Sequence, residues 1–118
     1  MAQLDRDGDD LVVRLSTEEK AEAAHGDVRV PVSAVQRVEV VDDALHAVSA
    51  WTKTVGASIP GQLLVGTFHS DGKAFVAVHH HTPRGVRVTL EGANFDELLV
   101  GCDDPEGVIQ QLGPLPPT

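Results

Sequence analysis

Apolar residues in this chain recur chiefly at every second position, the period of a strand with one buried face, and less often at the three- and four-residue spacing of a helix. Leu11, Val13 and Leu15 open the series. Val28, Val30 and Val32 continue it, and Pro31, which has no N–H to give to a ladder, marks a sheet edge or a strand end there. Val38 and Val40 alternate with Arg37 and Glu39. Val86, Val88 and Leu90 form a further set, and Leu98, Val100 and Cys102 another, beyond the turn-forming Gly92-Ala93-Asn94. The clearest local signal is a hairpin: QLLVGTFHS and KAFVAVHH flank Asp71-Gly72, a dipeptide suited to a two-residue type I′ turn. A loop of those two residues pairs Ser70 with Lys73, Phe68 with Phe75, Gly66 with Ala77 and Leu64 with His79, so that Phe68 and Phe75 would meet on the core face.

Helical signals bracket the strands. Ser16-Thr17-Glu18-Glu19 is a capping box, in which the Ser16 hydroxyl accepts from a first-turn N–H and Glu19 reaches back, with Gly26 as the expected stop. Near the end, Asp104 is suited to an N-cap and Pro105 to the first helical position, Val108, Ile109 and Leu112 share a face, and Gly113-Pro114 terminates the helix. The stretch from Ala44 to Gly61 lacks a clear strand pattern and reads as a long loop in which Leu45, Val48 and Trp51 could share a short helical face before Ile59-Pro60-Gly61. The expected organisation is a flexible start over residues 1–9, one domain over 10–113, and a Pro-rich tail over 114–118. That domain is mainly β, with about seven strands in a bent sheet or partly open barrel capped by the C-terminal helix.

Composition narrows the function classes. Hydrophobic residues at 42% and charged residues at 23% of 118 positions are ordinary for a folded domain. Eighteen acidic against nine basic residues give a formal charge of −9, and the basic residues form no run. A surface of that sign repels phosphate backbones and anionic lipid headgroups, which argues against nucleic-acid and lipid partners. The lone Cys102 allows no intramolecular disulfide, and MAQLDRDGDD is acidic where a secretory leader would be basic and then apolar, so a cytoplasmic location is expected. No apolar run approaches the roughly 20 residues that a membrane span requires.

Four segments, LSTEEKAEAAHGDVRVPVSAVQRVEV, PGQLLVGTF, DGKAFVAV and FDELLVGCDDPEGVIQQL, resemble those of bacterial pleckstrin-homology-like domains found in small actinobacterial proteins of unknown function. The resemblance implies a seven-stranded, strongly bent sheet with a C-terminal capping helix, used as a surface for peptides, other proteins or self-association. It carries over no functional residue, and His79-His80-His81 is not part of the pattern.

That histidine triplet is the most conspicuous candidate chemistry, because neutral imidazole ligates zinc, copper and nickel. On a strand, His79 and His81 face one side and His80 the other, so two of the three could share a metal, with a further ligand required from His25, His46 or a carboxylate. Trp51, with Leu45 and Ile59, is the candidate anchor for a protein partner, against the plainer reading that it covers the core beneath the loop. Cys102, in register with Leu98 and Val100, reads as a core residue, and Asp42-Asp43 and Asp103-Asp104 as turn and cap residues. The chain holds no Gly-rich phosphate loop, G-x-S-x-G, C-x-x-C or H-E-x-x-H motif. The expectation is therefore a non-enzymatic module, without cofactor, that binds a protein, a peptide or a second copy of itself. Small-ligand or metal binding at His79 and His81 is the alternative, and an uncharacterised enzyme the third.

Overall fold

A computed structural model describes residues 2–23, 26–47, 52–59, 62–69 and 72–113, with backbone alone for 46–47, 52–55 and 57–59. The elements run β1 (Gln3–Asp7), β2 (Asp10–Arg14), α1 (Thr17–Ala23), β3 (Val28–Pro31), a 3-10 turn at Val32–Ala34, β4 (Val35–Val41), α2 (Ala44–Ala47), β5 (Thr52–Ile59), β6 (Leu63–His69), β7 (Lys73–His79), β8 (Gly85–Leu90), β9 (Glu97–Gly101) and α3 (Pro105–Leu112). The fold is mainly β with a C-terminal helix, arranged as two sheets and not as a closed barrel. One sheet is three-stranded in the order β1-β2-β3, the other six-stranded in the order β4-β8-β9-β7-β6-β5.

Each strand segment expected from the sequence has a counterpart among the described residues, and β1 and β5 join them. Residues 3–7, expected to be a flexible start, form β1, which pairs antiparallel with β2 from Gln3↔Arg14 to Asp7↔Asp10. Thr52–Ile59, expected within a loop, forms β5 and pairs with β6 from Thr52↔His69 to Ile59↔Leu63. Gly56 faces Gly66 across that pair at positive φ, and a Cβ at Gly56 would run into the Val65 carbonyl, so this approach requires glycine. The tail 114–118 lies outside the described residues.

The two sheets face each other across the main core. Leu4, Leu11, Val13, Val28 and Val30 come from the smaller sheet, and Val65, Phe75, Val86, Val88, Leu98 and Val100 from the larger. Leu112 of α3 and Ala23 of α1 close the ends of this layer. A second cluster, Phe68, Ala74, Val76, Val78, Leu99 and Ala44, lies on the other face of the larger sheet, with Val41, Leu45 and Leu64 packed on it. Central strands that bury both faces read as continuous apolar runs, and Ala74–Val78 is buried throughout. β9 lies beside β7 and runs parallel to it, Phe75 opposite Leu98, with β8 on its far side.

The hairpin forms, but its register differs from the expected one. His69 pairs with Lys73, Thr67 with Phe75, Gly66 with Val76 and Leu64 with Val78, leaving three residues between the paired ends. A shift of one residue turns every side chain of one strand to the other face. Phe75 therefore lies in the main core, where it meets Phe95 edge-on with ring centroids 5.8 Å apart, and Phe68 lies in the second cluster. The expected Phe68–Phe75 core pair does not exist. A double-mutant cycle in urea unfolding checks this: Phe68→Ala and Phe75→Ala should each cost about 3–5 kcal/mol, with a coupling below about 0.5 kcal/mol. A paired register would give a coupling of about 0.5–1.5 kcal/mol.

Candidate functional site

The site begins with the N-terminus of α1. The Ser16 hydroxyl accepts from the Glu19 N–H at 3.2 Å, and Glu19 Oε1 accepts from the Ser16 N–H at 3.0 Å, which completes the expected capping box. The helix is described to Ala23, and residues 24–25, between it and the expected stop at Gly26, lie outside the described residues. Folding back to its own helix start turns the Glu19 carboxylate inward, where it is only 2% exposed. Its Oε2 accepts from the Ala2 N–H at 2.9 Å and lies 2.9 Å from His79 Nε2 at the end of β7. Burial raises the Glu19 carboxyl; the Ser16 N–H, His79 and the Ser16 hydroxyl lower it, and together they hold it below its ordinary value of 4.5. An ionised carboxylate only accepts, so His79 presents Nε2–H to it, and in the neutral ring Nδ1 is left as the acceptor.

His81 lies beside His79, ring centroids 5.6 Å apart, and His80 packs edge-on against His81 at 5.4 Å. β7 ends at His79, and a turn carries the chain through His80 and His81 to a bridge between His79 and Thr82. His79 and His81 thus share a side, as alternation implied, although His81 belongs to the turn. Both line a recess of about 340 Å³ together with Ser16, Glu18, Glu19, Glu22 and Leu63. His69 lies at the far end of the hairpin, paired with Lys73. His25 lies outside the described residues, as does the side chain of His46. Among the described residues no three His, Cys, Asp or Glu side chains converge to hold a metal ion.

Glu19 and His79 form a carboxylate–imidazole pair, yet among the described residues no hydrogen bond joins His79 to Ser16, which also lines the recess. Comparison with family models, curated proteins and solved structures gave no match. The chemistry of the recess therefore rests on its own residues: an acidic rim, two imidazoles and one leucine, a lining suited to a small cation and opposed to an anion.

Two residues of the other expected site have described places. Leu45 is half-buried against the second core cluster on α2, and Ile59 is the last residue of β5, opposite Leu63. Trp51 lies outside the described residues. Cys102 is half-buried against the main core; burial, then the neighbouring Asp103 and Asp104, push its thiol up to about 11. Sequence reasoning found Glu19 as a capping residue and missed its role as the buried partner of His79. No local signal carries a contact between residues 60 positions apart. Among the described residues no helix is long and apolar enough to cross a membrane.

Two outcomes follow from these groups. A carboxyl whose folded pKa lies below its unfolded value contributes stability that is complete above about pH 4.5 and is lost as pH falls through the folded value. Glu19→Gln should therefore lower stability near pH 7 by about 2–3 kcal/mol, and the gap from the parent should narrow below pH 4.5 in urea titrations across pH. Cys102 should react with a disulfide reagent at pH 8 at least about 100-fold more slowly than an unhindered thiol, because its thiolate fraction falls with the raised pKa.

Proposed function

We propose that this chain is a non-enzymatic, cytoplasmic interaction module of the pleckstrin-homology-like kind, which holds a protein or peptide along the outer edge of β4. The mainly β architecture closed by α3 supports the class. The observation that carries the function is the character of β4 at the end of the six-stranded sheet. Among the described residues it pairs on one side only, with β8.

Exposed strand edges attract other strands, and folded proteins blunt them with proline, charge or a covering element. β3, at an edge of the smaller sheet as Pro31 suggested, carries that proline and Arg29. β1, at the opposite edge, carries Asp5, Arg6 and Asp7. β4 carries Val35, Val38, Val40 and Val41 with no proline, and Val38, Val40 and Val41 are half-exposed. An added strand would gain backbone hydrogen bonds along β4 and cover these valines, the usual terms of recognition by strand addition.

The test is a pulldown from source cells with the full chain as bait, beside Val40→Lys, whose fold is checked by circular dichroism. A partner held by the parent should bind the folded variant at least tenfold more weakly, a change of about 1.4 kcal/mol. Equal retention by both forms would remove the edge reading.

Small-ligand binding is the second reading, favoured by the recess where His79 and His81 meet Glu18 and Glu22. Titration with zinc and, separately, a primary amine, followed by the ring resonances of His79 and His81, should shift both rings saturably. Rings that remain unmoved would reject it.

A further inference from the structure

We propose that the strand added to β4 is β4 of a second copy of this chain, antiparallel and centred on Val38, an inference that rests on the edge reading above. The argument is one of register. Val38 and Val40 stand opposite Val88 and Val86, members of the main core, and so lie on the inner face of the sheet. Arg37 and Glu39 stand opposite Thr89 and Arg87 on the outer face. An antiparallel pair centred on Val38 sets Arg37 against Glu39 of the partner subunit, and Glu39 against Arg37 of the partner subunit. The two copies of Val38 then meet on the inner side. Over residues 37–39 each residue meets another on its own face, and both charged contacts join opposite signs.

No neighbouring register does this. A slip of one residue sets outer-face positions against inner-face ones. A slip of two in one direction sets Arg37 against its own copy, and in the other Glu39 against its own copy, and like charges directly opposite are destabilising. The order Arg-Val-Glu along the strand is self-complementary in one register, and the resulting interface is two-fold symmetric.

The charges are available for this. The Arg37 side chain is 68% exposed and lies 3.3 Å from Glu39 Oε1, with Arg87 at 3.7 Å on the other side. Glu39 Oε1 is enclosed between these two guanidiniums and accepts no hydrogen bond among the described residues, so within one chain it is held by charge alone. α3 packs against β4 and β8 and holds Val108 and Ile109 half-buried, which adds apolar surface beside the edge. Two copies of a chain with a formal charge of −9 repel at long range. That repulsion is screened beyond about 8 Å at physiological salt, while directly opposed pairs are screened much less.

The experiment is sedimentation of the full chain over a range of concentrations, beside Arg37→Glu, Glu39→Arg and an equal mixture of the two. Circular dichroism confirms that each is folded; Glu97, 3.5 Å from Arg87 on the same face, keeps a carboxylate near an arginine at position 39. The parent should form dimers, and each single variant should dimerise on the order of tenfold more weakly, because both charged contacts turn repulsive at once. The mixture should form a heterodimer, since one chain then carries two acids and the other two bases at the facing positions. A parent that stays monomeric at its solubility limit, a dimer indifferent to both substitutions, or a mixture no better than its components would each overturn the proposal. The edge reading is judged separately: a monomeric parent whose captured partner is lost with Val40→Lys removes the second copy and keeps the edge.

Discussion

The Glu19 carboxylate ties together three parts of the chain that alternation and propensity leave independent. One oxygen holds the Ser16 N–H and so fixes where α1 begins; the other holds the Ala2 N–H just before β1 and touches His79 at the end of β7. Removing a carboxylate from water costs several kcal/mol unless donors surround it. Here two backbone N–H groups and an imidazole replace the lost water, and charge-assisted bonds of this kind are stronger than neutral ones. The start of the smaller sheet, the first helix and the last residue of β7 are thus positioned by one side chain. The recess with its two imidazoles follows from that placement, because His79 is held at the foot of α1 and the turn sets His81 beside it.

Alternation disclosed strands where a wet face alternates with two or more buried apolar residues. Val28-Arg29-Val30 and Val86-Arg87-Val88 have a polar residue at each outward position, and both were legible. The caps of α3 were legible as well, since Asp104 accepts from the Gly107 N–H at 3.1 Å and Gly113 ends the helix at positive φ. The hairpin register was not, because β7 is buried on both faces and offers no polar side to fix the phase. β1 escaped because LDRDGDD holds a single apolar residue, Leu4, and a strand that contributes one side chain to the core has no period to detect. β5 escaped because Gly56 interrupts its centre and Pro60-Gly61 follows it, the usual marks of a loop. The placement of β9 between β8 and β7 is a non-local choice of neighbours, for which nearby residues hold no signal.

The histidines show the same division in the site. Period-two geometry put His79 and His81 together, and the structure keeps them together although the strand has ended. What alternation lacks is the opposite wall: Glu18, Glu19 and Glu22 come from α1, across the space between α1 and the end of β7. A sequence presents those acids as a helix start with the usual dipole-favoured charges. Only tertiary packing turns them towards imidazoles.

Charge is distributed unequally over the sheet edges, and this bears on which edge can serve as a surface. On the smaller sheet, Arg14 pairs with Asp5, and Arg29 reaches both Asp7 and Asp10. Such exposed pairs add little stability each, but they leave ionised groups along β1 and β3, where an incoming strand would have to displace or desolvate them. β4 has two charges of opposite sign, separated by one valine, on one face, and half-exposed valines on the other. An edge guarded by like charges or proline excludes strands generally. An edge with one acid and one base at matched positions excludes most registers and admits few, which is discrimination and not protection. The combination of an unguarded apolar face with a sign pattern that tolerates only particular neighbours is what separates β4 from β1 and β3, and it is the basis on which the proposed partner would be both held and chosen.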